Sequence, residues 1–142
     1  MGFSLVAAAA IIGVSILVCT EIIIGNVSPT ITGINDSYDD MKNRAIEQVQ
    51  TDINITSATT ASNGSNYDLN VAVKNTGSVS LKTSDFSILV DGTKQQFTCS
   101  DSYLYPEKTV YFNVNNIAGN GLERLKIITD KGISDYYSYI LP

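Results

Sequence analysis

The residues able to do chemistry are few, and their types narrow that chemistry to recognition. Histidine is absent, which removes the usual general base and the commonest metal ligand. Serines and lysines are present, but no nucleophile stands in a recognisable hydrolase setting. Asp85, Asp91, Asp101 and Asp135 are scattered, with no Asp-x-Asp-x-Asp-Gly loop for calcium. They read as turn formers and solvated charges. Of the two cysteines, Cys19 lies in an apolar segment and Cys99 in a strand region, so a bridge would have to join lipid to a folded domain. No catalysis, metal or cofactor is expected.

The tyrosines say more. Tyr136, Tyr137 and Tyr139 fall on one expected strand, so at least one ring points outward whichever face is core. Tyr103 and Tyr105 flank the turn before Pro106. Tyrosine is favoured at recognition surfaces because it buries a large area at little entropic cost, although it is also an ordinary strand former. Tyr136, Tyr137 and Tyr139 are therefore the candidate interface. Asn-x-Ser/Thr triplets begin at Asn26, Asn35, Asn54 and Asn63. Asn35, Asn54 and Asn63 are the candidate sugar acceptors, with Asn63 beside Gly64 the best placed and Asn26 too near the membrane.

These side chains must be held by an anchor and a β domain. The chain has 142 residues, with nine Lys+Arg against fourteen Asp+Glu and a net charge of −5. Such an acidic chain has no electrostatic footprint for nucleic acid. From Phe3 to Ile24 it is apolar or small apart from Thr20, Glu21 and two serines, which matches the roughly 20 residues needed to cross a bilayer core. Nothing basic precedes this run and no clear small-residue cleavage site ends it. The expectation is an uncleaved anchor over residues 1–25. Glu21 is the intramembrane polar residue, snorkelling to the interface or pairing with another subunit.

Residues 26–51 read as a helical stalk. Val27, Ile31, Ile34, Tyr38, Met41, Ala45 and Val49 recur at three- and four-residue spacings, opposite Asp39, Asp40, Lys42, Asn43, Glu47 and Gln48. Pro29 and Gly33 should kink or interrupt the helix, with Ser28 or Asn35 recapping it. The stripe would pack on the chain's own β domain or on a partner helix.

From Asp52 the period changes to two. Tyr67, Leu69, Val71 and Val73 form one strand pattern, and Phe86, Ile88 and Val90 another, closed by the hairpin signal Asp91-Gly92. Gln95 to Cys99 returns from it. Val110, Phe112 and Val114 follow, then Leu125 and Ile127, and finally Ile133 to Ile140 after the turn Asp130-Lys131-Gly132. Ile53 to Ile55 and Val79 to Leu81 bring the count to seven or eight short strands. The fold class is α+β overall: an N-terminal transmembrane or long kinked helix, then an immunoglobulin-like antiparallel β-sandwich over 52–142. Ser57 to Asn66 has loop composition and reads as a linker, a long loop or a poorly patterned strand end.

The apolar MGFS start, the passage from Val73 to Gly92 (VKNTGSVSLKTSDFSILVDG) and that from Leu104 to Val114 (LYPEKTVYFNV) resemble the archaellum (archaeal flagellar) accessory proteins F and G, more closely F. The resemblance implies one membrane-spanning helix and a β-sandwich outside the membrane. It also implies that this domain dimerises, binds the surface-layer protein, and works with accessory protein G and the base of the motor or filament. The location implied is a single-pass position in the cell membrane with an extracytoplasmic C-terminal domain. The alternatives are a filament subunit related to archaellins, and a membrane-tethered domain binding a solute or sugar. The resemblance assigns no individual binding residue.

Overall fold

Pro29 shows how the first quarter of the chain is built. A proline has no N–H to donate, and its ring crowds the carbonyl four residues back. In this computed structural model, which describes residues 2–141, the helix answers by widening. Helix α1 (Gly2–Ile22) passes into a π-helical turn (Ile23–Val27), then continues as α2 (Ser28–Gln50) with Pro29 in its first turn. The Ser28 N–H reaches back to Ile23 O, five residues away, so the carbonyls upstream of the proline ring are spread rather than broken off. Ser28 keeps helical backbone angles and recaps nothing, and Asn35 and the aspartates after it sit in the interior of α2. Among the described residues none of α1 or α2 is buried, and the stripe from Val27 to Val49 is exposed. The first unit is residues 1–43 and the second residues 44–142, so the last helical turns belong to the β-rich unit.

The second unit is a sandwich of two four-stranded antiparallel sheets and a short ribbon. The first sheet runs β1 (Ile53–Asn63), β2 (Asn66–Asn75), β8 (Thr109–Ile117) and β6 (Thr98–Cys99). The second runs β10 (Ser134–Ile140), β9 (Leu122–Ile128), β4 (Ser87–Val90) and β5 (Thr93–Gln95). Strands β3 (Leu81–Lys82) and β7 (Tyr103–Leu104) pair apart from both. Alternation makes the core: Leu69, Val71 and Val73 stand opposite Val114, Phe112 and Val110, while Ile88 and Val90 stand opposite Ile127 and Leu125. All ten of these side chains are buried.

One sequence expectation is narrowed and one changes. Of the three readings of Ser57 to Asn66, the poorly patterned strand end is the one found: β1 continues to Asn63 and returns through a two-residue turn at Gly64, whose φ of 67° is the left-handed region that suits glycine. The stretch has a weak pattern because β1 is an edge strand with small side chains on a largely exposed second half. The Gln95 to Cys99 return is likewise split between sheets. β5 pairs with β4, and β6 crosses to pair with β8. Phe97, between them, packs edge-on to Phe112 with ring centroids 5.3 Å apart. This crossing and the extra ribbon raise the strand count among the described residues to ten.

Candidate interaction surfaces

Three places in the second unit have chemistry beyond packing. The first is the joint where the helix ends, built from Asn75-Thr76-Gly77-Ser78. Ser78 N–H donates to Gln50 O (2.9 Å), capping an open helical carbonyl, while the Thr76 and Gly77 N–H groups both donate to Asp52 O. Thr76 Oγ1 donates to the Asp52 carboxylate at 2.7 Å. Asn75 is fully buried; its amide donates to Val79 O (2.7 Å) and Leu104 O (3.1 Å) and accepts from the Gly77 N–H. A Cβ on Gly77 would collide with Gln50 O and Asp52 N, so only glycine lets the backbones approach this closely. Across the joint, Lys131 Nζ pairs with Glu47 at 2.7 Å and Gln48 Nε2 donates to Lys131 O.

The second place is the outer face of the β10-β9-β4-β5 sheet. Alternation that buries Glu123, Leu125 and Ile127 turns Leu122, Arg124, Lys126 and Ile128 outward. Registry then sets Lys94, Leu89, Lys126 and Tyr136 in one row across four strands. The Arg124 guanidinium lies 4.9 Å and the Lys126 ammonium 5.0 Å from the Tyr136 ring centroid, within cation–π range. With Leu89, Asp91 and Gly92 they line an open depression of about 460 Å³. The Lys126 ammonium at the Tyr136 hydroxyl pulls that phenol below its ordinary range.

The charge distribution makes this face unusual. Residues 52–142 carry seven cations. Lys74, Lys82 and Lys131 are ion-paired to Glu107, Asp85 and Glu47 with Asp130. Among the described residues Lys94, Lys108, Arg124 and Lys126 have no such pair, and three of those four share this face. Asp91, the carboxylate on the rim, is already engaged: its Oδ1 accepts the Arg124 N–H at 2.8 Å. It also abuts the carboxyl of buried Glu123, where burial and the neighbouring Asp91 push the Glu123 carboxyl upward.

The third place is smaller. Tyr103 and Tyr105 stack with centroids 6.2 Å apart, both exposed, in a trough shared with Asp101, Ser102 and Lys108.

The last-strand tyrosines divide. Tyr136 is 49% exposed, Tyr137 is half-buried against the core and Tyr139 is 5% exposed. The Tyr139 hydroxyl meets that of Tyr67 at 2.7 Å inside the sandwich, and burial raises both phenols. Tyr139 thus leaves the candidate surface, because strand parity points it inward. The partners of Tyr136, Arg124 and Lys126, were missed in the sequence; an outward cation pair two residues apart on a strand was the available signal. Asn35, Asn54 and Asn63 are all exposed, on α2, on β1 and at the β1–β2 turn, where Asn63 Nδ2 donates to Asp68. Glu21 is exposed on α1, and Cys19 and Cys99 are free thiols.

Comparison with known proteins fits this architecture. No curated protein matches the chain. Among solved structures it is similar to the archaellum periplasmic stator protein FlaG from Sulfolobus acidocaldarius, at 18% identity and a TM-score of 0.53, over 63% of this chain and 99% of that one. That likeness supports the sandwich fold. The family model for archaeal-type flagellin matches residues 2–138. The chain belongs to the archaeal-type flagellin family, whose members are structural rather than catalytic.

Proposed function

We propose that this protein is a membrane-held, stator-like component of the archaellum, whose sandwich grips the surface-layer lattice and fixes the motor against it. The helix over Gly2–Gln50 is long and apolar enough in its first half to cross a membrane. It would do so once, leaving the sandwich in the extracytoplasmic space. The observation that carries the reading is the joint at Asn75 to Ser78. A tether for a passive domain needs only a flexible linker. Here the helix end is capped, ion-paired and pressed on the sandwich with no room for a methyl group, as a part that must transmit force requires. FlaG, similar in fold, is a periplasmic stator. Its relationship suggests the accessory protein G and the motor or filament base as further partners, with homodimerisation through the sandwich. A grip on the surface layer would use the Tyr136 face.

Family membership also supports a second reading. The archaeal-type flagellin model covers the helix as well as the sandwich, and the exposed stripe Val27, Ile31, Ile34, Tyr38 and Met41 suits packing among helices in a filament.

One fractionation separates the two. Membranes and sheared filaments are prepared from the same cells, and the protein's location and N-terminal mass are measured in each. Recovery in membranes, with the surface-layer protein captured stoichiometrically by the detergent-solubilised full chain, is the expected result. Recovery in sheared filaments with a trimmed N-terminus would overturn the stator reading.

A further inference from the structure

We infer that the Tyr136 face takes an extended acidic segment of a partner protein, with carboxylates on alternate residues. The inference rests on the docking role given above to this face and names the chemistry of the occupant. Three cations without ion pairs among the described residues, Lys94, Arg124 and Lys126, stand together on a domain whose nine side-chain carboxylates outnumber its seven cations. Such clustering costs mutual repulsion, which the Tyr136 ring relieves only in part by presenting its negative face to two of them. A negatively charged occupant relieves the remainder and is drawn to the face on approach.

Geometry selects the form of that occupant. Arg124 and Lys126 are two residues apart on β9 and both point outward. Side chains at such spacing on a strand are about 7 Å apart, the same as carboxylates on alternate residues of an extended peptide. The guanidinium of Arg124 can take one of them through two parallel N–H donors. Lys94 lies two strands away in the row of Lys126 and Tyr136, with Leu89 between. It stands to the side of the Arg124–Lys126 line and adds to the positive potential that draws the segment in, while Leu89 and the Tyr136 ring cover aliphatic stems. The apolar floor favours a polypeptide over a carbohydrate polyacid or a lipid headgroup. Asp91 does not fill the role itself, since it is held on the Arg124 backbone and against Glu123.

The test uses the full chain in neutral detergent and a synthetic peptide of alternating Glu and Thr, with binding followed by calorimetry at several salt concentrations. Three comparison ligands are a peptide of the same composition with its glutamates contiguous, polyguluronate, and vesicles containing phosphatidylglycerol. The alternating peptide should bind, lose affinity steadily with salt, and exceed each comparison ligand. The Arg124→Gln/Lys126→Gln variant should bind it about tenfold more weakly or not at all. Tyr136→Leu should weaken it less, and Lys108→Gln, off the face, should leave it unchanged. Circular dichroism establishes folding of each variant; if the double variant unfolds, Lys94→Gln and Lys126→Gln are read singly. Absence of binding by the unmodified protein, equal affinity for contiguous glutamates, polyguluronate or vesicles, or full binding by the folded variants would overturn the inference. The peptide result and the envelope capture are separable. Capture that survives Arg124→Gln/Lys126→Gln while peptide binding is lost removes this face from docking but leaves the anchored reading. Peptide binding without any envelope capture sinks the anchored reading and leaves the face's chemistry.

Discussion

The joint at Asn75 to Ser78 and the outer face around Tyr136 are built on opposite terms. At the joint each donor named above has an acceptor: Asn75 uses both amide hydrogens and its carbonyl, the Asp52 carboxylate takes the Thr76 hydroxyl, and Lys131 has two carboxylates. No gap would take even a methyl group at Gly77. On the face, three cations have no ion pair among the described residues and a tyrosine lies open to solvent. One region is complete within the chain, and the other, on the inference drawn above, is completed by an occupant. Closed chemistry marks what the protein must hold rigid, and open chemistry marks what it must meet. Substitutions at the joint should therefore change stability and leave binding intact among the molecules that remain folded, while those on the face should do the reverse.

The largest effect belongs to Gly77→Ala. The new Cβ would overlap Gln50 O and Asp52 N, backbone atoms of residues whose carbonyls are tied to the turn by the Ser78, Thr76 and Gly77 N–H groups. Overpacking of this kind costs about 3 kcal/mol, which for a unit of this size lowers the melting temperature by roughly 12–20 °C. Thermal unfolding followed by circular dichroism measures it. A shift of only a degree or two would show that the helix end can back away, and the rigid-joint argument would go with it.

Asn75→Ala comes next. It empties a fully buried position and takes from Val79 O and Leu104 O the amide that donates to them, while the Gly77 N–H keeps only its bond to Asp52 O. Unsatisfied buried groups cost about 1–3 kcal/mol, partly recovered if water enters the space. Asn75→Asp should be at least as harmful, because it keeps the volume while losing both donors and adds a buried charge. Urea midpoints at neutral pH would rank the two. If aspartate proves milder than alanine, the two N–H···O bonds are not what holds the turn.

The contrast also explains what the sequence could reveal. The core strands were legible because Leu69, Val71 and Val73, like Ile88 and Val90, alternate strictly with polar neighbours, and burial on one side of a sheet imposes that period. The second half of β1 was not, because an edge strand of serine, threonine and alanine carries no such signature. The joint was visible only as a recognisable run of letters. Its meaning depends on Gln50 and Asp52, about 25 residues upstream, and no local pattern reports that approach. On the face, Tyr136 could be singled out, but Arg124 and Lys126 become its neighbours only through the β9–β10 register set by the Asp130 to Gly132 turn. Ile140 added to the ambiguity, since this apolar residue is outward and Tyr139 inward.

Glu123 sharpens the comparison from beneath. It is the inward neighbour of Arg124 on β9, buried, bonded to the Asn120 N–H and set against Asp91. Its carboxyl is raised, so the folded chain holds this proton to higher pH than the unfolded chain does. Its contribution to stability is full below the ordinary glutamate pKa of about 4.3. That contribution falls as pH rises through the raised folded value. Glu123→Gln keeps the acceptor for Asn120 and abolishes the titration. The difference in urea midpoint between variant and parent should therefore grow in the variant's favour from acid to neutral pH. A difference that stays constant with pH would mean that burial and Asp91 do not raise the Glu123 carboxyl.

The smallest effect tests the face alone. Lys126→Gln removes one of the two cations over Tyr136 without disturbing any buried group. Exposed cation–π contacts are worth about 0.5–1 kcal/mol, and the glutamine stem recovers part of the packing, so the melting temperature should barely move. The tyrosine itself should report the loss. With the ammonium gone, the Tyr136 phenol should titrate at higher pH than in the parent, because its main cause of lowering is that lysine and Arg124 contributes less. Site-resolved NMR of labelled tyrosine rings during a pH titration separates Tyr136 from the others. An unmoved Tyr136 curve would place Lys126 out in solvent rather than over the ring, and the face would lose the organisation that distinguishes it from ordinary scattered surface charge.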